Sequence, residues 1–461
     1  SAIPLTVFLQ GYNTYTGTTN VSNGFLIFDG ASAFSVSAPA FSLTAGGSAS
    51  SVGASYIGYT GNTSFSPSTF LAEFNKANTW GIIGFNTGGT TLSNIDLTGF
   101  NDGVFLGTTT AATIDASTLI GTTVANGNNA AHTLRFTAAQ SGILTINGTI
   151  ADGANPTSVM IGSPVATGPY SSGTVVLSSA STYTGGTTVN AATLGSPTLA
   201  VGNSAALGTG TLTFTSGSGG LAGLKATSGG INLANPINLL NTAPGTGSGP
   251  QLYLMGTQSF TLSGNISGDE STTIYLYNAS PLGVTLAGNN SGFLGTFQLF
   301  NGSLTLLNNY GAGSAWINFG LSGSGTLTFG GAATAPVIYG LSGDSGTVSI
   351  PGGTNLTYDL SYGDQRDTDY GGTITGSGSL TLTAPTASGM QGSLLNGTNT
   401  YSGGTTVLDH AVLAMGNNSA AGTGSVTLNA PYGGLALNSG VTFTNPLTYT
   451  AGSLMGWGTF A

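Results

Sequence analysis

The chain has 461 residues, of which 4 are Lys or Arg, 14 are Asp or Glu and 2 are His, and it contains no Cys. Charged residues are 4 % of the sequence, against about a quarter of an average soluble domain. This composition excludes a nucleic-acid-binding protein, which needs many cations against phosphates, and the lack of Cys excludes disulfides and zinc–thiolate sites. With 39 % apolar residues the chain can form a large core, which excludes intrinsic disorder.

Residues 1–140 are predicted to form a β-rich segment with one short helical insertion near residues 66–77. Ser66 is a suitable N-cap, Pro67 fits the first helical position, and Phe70 and Phe74 lie four residues apart on one helix face. We expect this helix to protrude from the β-structure or to pack against it. No run of about 18 apolar residues is present, so we predict no membrane insertion of this chain.

Residues 141–461 are predicted to form a β-solenoid from short strands. Apolar residues alternate with Thr or Ser in such runs, for example in 210–214, 302–306, 325–329 and 379–383, and this period of two predicts strands with one buried face. Gly-Gly, Asn-Gly and Ser-Gly pairs separate the runs and favour tight corners. At about 22 residues per rung and ~4.8 Å between rungs, the chain would make about 20 rungs of a rod roughly 100 Å long.

A phrase of nine residues recurs along the chain and indicates duplication. Its copies are 13–21, 181–189, 291–299 and 399–407, with a weaker copy at 87–92. The last apolar residues of the later copies, Val189, Leu299 and Val407, are 110 and 108 positions apart. We therefore predict super-repeats of ~109 residues, about five rungs each, within residues 141–461.

The repeated phrase resembles the passenger-associated transport repeat of bacterial autotransporters, whose pattern is approximately Asn-Thr-Tyr-x-Gly-Gly-Thr-Thr-Val. The resemblance lies in the four copies and their flanks, with lead-in segments at 264–268 and 372–380; Ala192 and His410 stand where the family has Gly. It implies an all-β, right-handed parallel β-helix on the outside of a diderm bacterium, and no catalytic residue. Autotransporters end in a membrane barrel that residues after Val407 are too few to form, so we expect a cleaved barrel or another export route, with Ser1 following a removed signal peptide.

The densest polar cluster of the sequence lies at 359–369. Asp364, Asp367 and Asp369 are candidate calcium ligands, because closely spaced carboxylates suit a hard cation. In the alternative interpretation they form a solvated loop that Arg366 neutralises. A polysaccharide lyase or hydrolase could use the same acids with Arg366, although all four residues lie on one loop. Calcium is the only cofactor that the sequence suggests.

Several tyrosines are candidates for a sugar-stacking strip, although packing roles are commoner for such residues. They are Tyr253, Tyr275, Tyr277, Tyr358, Tyr362 and Tyr370.

The sequence favours a non-enzymatic structural protein whose solenoids stack head-to-tail into an extracellular fibre. Neither end of the chain has the polar or charged residues that normally cap a solenoid. The candidate contact residues are Leu5, Val7, Leu9, Leu454, Trp457 and Phe460. The alternative is a monomeric adhesin or autotransporter passenger that presents residues 56–85 or 359–370 to a glycan or cell surface, and the third possibility is the enzyme described above.

Overall fold

A computed structural model describes residues 5–13, 17–31, 33, 42–46, 53–63, 65–119, 132–163, 169–191, 195–216, 220–244, 249–276, 283–361 and 368–461. The predicted β-solenoid is confirmed, because the chain is nearly all β and its strands stack in parallel. The described strands make about 16 turns, fewer than the predicted ~20. The chain divides into two compact units, unit 1 (Ser1–Leu252) and unit 2 (Tyr253–Ala461).

The strands of unit 1 are β1 (Thr6–Leu9), β2 (Thr18–Val21), β3 (Gly24–Phe28), β4 (Ser42–Ala45), β5 (Ser55–Thr60), β6 (Ile82–Asn86), β7 (Thr91–Leu92), β8 (Phe105–Thr108), β9 (Ala111–Asp115), β10 (His132–Ala138), β11 (Ile143–Asn147), β12 (Thr157–Ile161), β13 (Thr174–Leu177), β14 (Thr187–Asn190), β15 (Thr198–Val201), β16 (Leu212–Ser216), β17 (Leu221–Ala226), β18 (Ile231–Leu233) and β19 (Ile237–Asn241). Its helical elements are α1 (Pro67–Ala72) and three 3₁₀ turns at Lys76–Asn78, Ala116–Thr118 and Pro169–Ser171.

Strand β20 (Gln251–Leu254) spans the division between the units. The strands of unit 2 are β21 (Phe260–Leu262), β22 (Ile266–Gly268), β23 (Thr273–Leu276), β24 (Gly283–Leu286), β25 (Thr296–Leu299), β26 (Ser303–Leu306), β27 (Trp316–Asn318), β28 (Thr326–Phe329), β29 (Val337–Ile338), β30 (Leu341–Ser342), β31 (Thr347–Ser349), β32 (Asn355–Asp359), β33 (Thr373–Thr375), β34 (Ser379–Thr383), β35 (Gln391–Leu395), β36 (Thr405–Leu408), β37 (Ala411–Met415), β38 (Val426–Leu437), β39 (Thr442–Phe443), β40 (Leu447–Gly456) and β41 (Thr459–Phe460).

Each unit contains long parallel ladders in which a strand pairs with strands one rung away. In unit 1 the ladders are β1-β3-β5-β6-β8-β10-β12-β14-β16-β19, β7-β9-β11-β13-β15-β17 and β2-β4. In unit 2 they are β23-β25-β27-β30, β21-β24-β26-β28-β31-β33, β29-β32-β34-β36-β38-β37-β35 with β40 also on β38, and β39-β41. Parallel pairing continues across residue 140, since β10 pairs with both β8 and β12.

The paired residues show how much chain each rung takes. In unit 1, Thr6 pairs with Phe25 and Phe25 pairs with Tyr56, so the second of these rungs is much longer than the first. In unit 2, Val284 pairs with Leu304 and Leu304 pairs with Leu327, so these two rungs are nearly equal in length. The number of residues per rung predicted from the sequence therefore fits these rungs of unit 2. In unit 1, the rung between Phe25 and Tyr56 contains a longer connection between its strands.

The alternating runs of the sequence form the strands of unit 2 as predicted. In β26 and β28 the apolar residues are buried and the intervening Ser and Thr are half-exposed. Strands β3, β5 and β6 of unit 1 are different, because nearly every residue in them is buried. Both faces of these strands are therefore covered.

Helix α1 supplies one of the two coverings. Ser66 is its N-cap and accepts the Thr69 N–H through Oγ at 3.1 Å. Phe70 is fully buried, with its ring 4.8 Å from that of Tyr59 and 6.5 Å from that of Phe28. Of the two outcomes that the sequence left open, packing against the β-structure is the one observed.

The opposite face of the same strands is covered by Tyr170. Its ring stacks on that of Phe25 at 4.9 Å, and its hydroxyl donates to Asn23 Oδ1 at 2.6 Å while accepting the Gly24 N–H at 2.7 Å. Tyr56 lies beside Phe25, with 5.2 Å between the ring centroids, and its hydroxyl donates to Asn86 Oδ1 at 2.7 Å. A buried aromatic layer thus lies on each side of this part of unit 1.

The second and fourth copies of the repeated phrase have matching local structures. The Tyr183 hydroxyl lies 2.5 Å from Thr187 Oγ1, and the Tyr401 hydroxyl lies 2.5 Å from Thr405 Oγ1. In the third copy two phenylalanines occupy these positions, and the rings of Phe293 and Phe297 are in contact at 4.9 Å. An aromatic contact therefore replaces the hydroxyl pair.

A buried asparagine, just before the third copy of the repeated phrase and at the start of the fourth, joins neighbouring rungs. Asn290 accepts the Ile266 N–H through Oδ1 at 2.7 Å and donates through Nδ2 to the Gly311 carbonyl at 2.6 Å. Asn399, 109 positions later, makes the corresponding bonds to Ile374 and Ala420, both at 2.7 Å. This role of Asn290 in linking three rungs was not predicted from the sequence.

Candidate functional site

The final long strand, β40, has an unusually exposed surface. It pairs in parallel with β38, from Val426 opposite Leu447 to Leu437 opposite Gly456, with a register shift near Asn429. Among the described strands, β38 is its partner in the sheet, so the backbone N–H and C=O groups of its other edge face no described strand. Such an edge is a template for pairing with a further strand.

Apolar side chains accompany this edge. Three of them were candidate contact residues: Leu454 is 47 % exposed, Trp457 is 87 % exposed and Phe460 is 42 % exposed. Leu447 and Tyr449 of β40 are also exposed but were not among the predicted contact residues. The alternation of apolar and Thr residues in this strand was the available signal. Exposed Trp and Tyr are the residue types that most often anchor protein contacts.

The first strand of unit 1 has a similar surface. Leu5 is 74 % exposed and Val7 is 40 % exposed, whereas Leu9 is only partly exposed. Phe8 and Tyr12 are exposed as well, although they were not among the predicted contact residues. Strand β1 pairs with β3 on one side, and among the described strands it has no partner on the other.

Strands β1 and β40 themselves contain no Asp, Glu, Lys or Arg. The first charged residue of the chain is Asp29 and the last is Asp409. Two such surfaces can therefore approach each other without like-charge repulsion and without desolvating an ionised group.

The polar cluster at 359–369 is only partly described. Asp364, Arg366 and Asp367 lie outside the described residues, whereas Asp369 is exposed and its carbonyl accepts the Gly343 N–H at 3.1 Å. Among the residues that the structure describes, no three His, Asp or Glu side chains are close enough to hold one metal ion. Calcium binding and polysaccharide cleavage at this cluster stay predictions.

Described carboxylates of unit 1 accept hydrogen bonds from nearby donors. Asp29 accepts from the Thr60 hydroxyl at 2.7 Å, and this bond, with others from Gln10 and Asn62, lowers the pKa of the Asp29 carboxyl. The Thr157 N–H donates to Asp152 at 2.7 Å and likewise lowers the pKa of the Asp152 carboxyl. These acids stabilise turns and contacts between rungs.

The candidate tyrosine strip separates into two groups. Tyr358 and Tyr370 are fully buried, while Tyr277 and Tyr362 lie outside the described residues. Tyr253 and Tyr275 are half-exposed, and their rings stack with centroids 4.5 Å apart. The structure therefore brings two of the six together at the surface.

Comparison with protein-family models, with curated proteins and with solved structures gives no match. Within the described ranges, no helix is long and apolar enough to cross a membrane.

Proposed function

We propose that this chain is a non-enzymatic structural protein of the bacterial cell surface, which assembles with further copies of itself through strands β1 and β40. The β-solenoid fold is compatible with such a role, and the resemblance of the repeats to autotransporter passengers supports location outside the cell. The observation that carries the proposal is the exposed edge of β40, with Tyr449, Leu454 and Trp457 beside it.

The proposed occupant of this edge is strand β1 of a second copy. The ladder pairings described within each unit are parallel, so a strand added to β40 in the same orientation continues the existing pattern. The added strand satisfies one row of backbone donors and acceptors, and the apolar side chains at both surfaces are removed from water. Because the two surfaces of one copy differ, the contact is heterologous and each added copy leaves a new edge free.

The test uses the purified 461-residue chain in sedimentation velocity and negative-stain microscopy at micromolar concentration. We expect long unbranched filaments from the unaltered chain. The double variant Tyr449→Lys/Leu454→Lys introduces charge on the exposed edge strand, which opposes strand addition, and is expected to stay monomeric. Tyr310→Lys is the matched control, because Tyr310 is half-exposed in the same unit and lies away from β40.

Filaments from the Tyr449→Lys/Leu454→Lys variant would contradict the role of β40. A monomeric unaltered chain would overturn self-assembly and favour the adhesin alternative, or coverage of β40 by a further stretch of polypeptide. Far-ultraviolet circular dichroism of both variants verifies that the substitutions leave the fold intact.

A further inference from the structure

An exposed column of aromatic rings lies on one sheet of unit 2. Tyr253 and Tyr275 are stacked at 4.5 Å with an angle of 11° between the ring planes. Phe300 continues the series, 6.4 Å from Tyr275 and again at 11°. The longer spacing of the second pair leaves the facing surfaces of Tyr275 and Phe300 less overlapped than those of the first pair, and all three side chains are half-exposed.

Two amide side chains extend this column. Tyr275 pairs with Gln298, and Gln298 with Asn318, along the ladder β23-β25-β27. Gln298 Nε2 donates to Asn318 Oδ1 at 2.9 Å, and the same oxygen accepts the Gly320 N–H at 2.6 Å. These bonds leave Gln298 Oε1 as an acceptor and Asn318 Nδ2 as a donor for a ligand.

None of these five side chains is charged. Strands β20, β23, β25 and β27 contain no Asp, Glu, Lys or Arg. An anionic ligand would find no cation to pair with on these strands, and a cationic ligand would find no carboxylate.

We propose that Tyr253, Tyr275, Phe300, Gln298 and Asn318, here named the aromatic–amide column, bind a neutral polysaccharide. A sugar ring combines apolar C–H surface with adjacent hydroxyls, each of which both donates and accepts. Aromatic rings with a few placed amides provide matching apolar area, donors and acceptors. Each successive strand of the ladder contributes an aromatic or amide side chain, so a polymer with repeating sugar units can make a similar contact at each rung.

The buried tyrosines of unit 2 differ from this column. The Tyr358 hydroxyl accepts the Leu341 N–H at 3.0 Å and donates to the Leu341 carbonyl at 3.2 Å, and the Tyr370 hydroxyl donates to the Gly346 carbonyl at 3.1 Å. Those rings are removed from water and tie neighbouring rungs together. The side chains of Tyr253, Tyr275 and Phe300 are instead half-exposed.

The experiment is affinity gel electrophoresis of the 461-residue chain through gels that contain hydroxyethyl cellulose, galactomannan or dextran, with polygalacturonate as the acidic comparison. We expect retardation by at least one of the neutral polymers and none by polygalacturonate. Tyr253→Ala/Tyr275→Ala should weaken that binding at least tenfold, while Tyr310→Ala, which changes an exposed tyrosine elsewhere in unit 2, should leave it unchanged.

Gln298→Ala/Asn318→Ala provides a second variant that leaves the aromatic stack in place, in case loss of both tyrosines disturbs the fold. It should also weaken binding severalfold. Equal retardation of both double variants and the unaltered chain would overturn the proposal, as would retardation by polygalacturonate alone or by no polymer. The aromatic–amide column and β40 are on different strands, so filament formation is measured in a separate experiment. If no filaments form, the polysaccharide-binding result still stands.

Discussion

Strands β3, β5 and β6 of unit 1 and strands β26 and β28 of unit 2 have the same parallel pairing but different burial. The first set is buried on both faces, whereas the second alternates between buried and half-exposed residues. The difference arises because α1 and Tyr170 cover the unit 1 strands on both sides. A solenoid strand therefore shows a period of two only where its outer face is left to solvent.

Alkaline pH is expected to have the largest effect and to act on unit 1 first. Burial raises the pKa of tyrosines in both units, and it raises the pKa of Tyr59 to about 12. The most strongly affected are Tyr56, Tyr59 and Tyr183 in unit 1 and Tyr370 and Tyr401 in unit 2. Because the unfolded chain ionises near the ordinary tyrosine pKa of 10.0, stability is complete below that pH and is lost as the pH rises toward the folded values, by about 1.4 kcal/mol per pH unit for each tyrosine.

The measurement is tryptophan fluorescence during an alkaline titration, since Trp80 reports on unit 1 and Trp316 and Trp457 report on unit 2. We expect the Trp80 signal to change at the lower pH. If the fluorescence of both units changes at the same pH, or that of unit 2 changes first, ionisation of the buried tyrosines does not destabilise unit 1 more than unit 2.

Phe70→Ala is expected to destabilise unit 1 by about 3–5 kcal/mol, because it leaves a cavity where a fully buried ring contacts Tyr59, Phe28 and Phe85. The midpoint of guanidinium unfolding reported by Trp80 should fall. Ala72→Ser, at an exposed position of the same helix, is the control and should lower the free energy of unfolding by about 0.5 kcal/mol or less. An unchanged Trp80 midpoint in Phe70→Ala would show that the covering layer adds no stability.

Asn399→Ala is expected to destabilise unit 2 by about 2–3 kcal/mol, because it leaves the Ile374 N–H and the Ala420 carbonyl buried without their partner. Asn290→Ala should cost the same, since its two bonds are equivalent. In unit 1, Ser181 accepts the Ile150 N–H at 3.2 Å with its hydroxyl, and Ser181→Ala should cost only about 1 kcal/mol. Equal losses in all three variants, measured by guanidinium unfolding, would show that the amide does not link rungs more strongly than the hydroxyl.

The smallest expected effect is at acid pH, and it again concerns unit 1. Hydrogen bonds lower the pKa of Asp29, chiefly from Thr60; of Asp96, from Thr98; and of Asp152, from the Thr157 N–H. The stability that they supply is present above the ordinary carboxyl pKa of 3.8 and is lost as the pH falls below it. Asp152→Asn should flatten the fall in the Trp80 midpoint between about pH 4 and pH 2, and an unchanged slope would contradict a role for that carboxylate.

The sequence alone determined the β-solenoid, the strands at 302–306 and 325–329, and the helix start at Ser66. Local patterns specify these features: period-two alternation sets which residues face a core, and an N-cap followed by Pro sets a helix end. The repeated phrase was also visible in the sequence, and the pairs Tyr183–Thr187 and Tyr401–Thr405 form the same contact in its second and fourth copies.

Only the tertiary structure decided which side of each strand is covered. The double burial of β3 and the link that Asn399 makes between rungs depend on residues far away in the sequence. The local sequence pattern determines which face of its strand a side chain lies on. The number of residues in each rung determines which residue of the next rung packs against it.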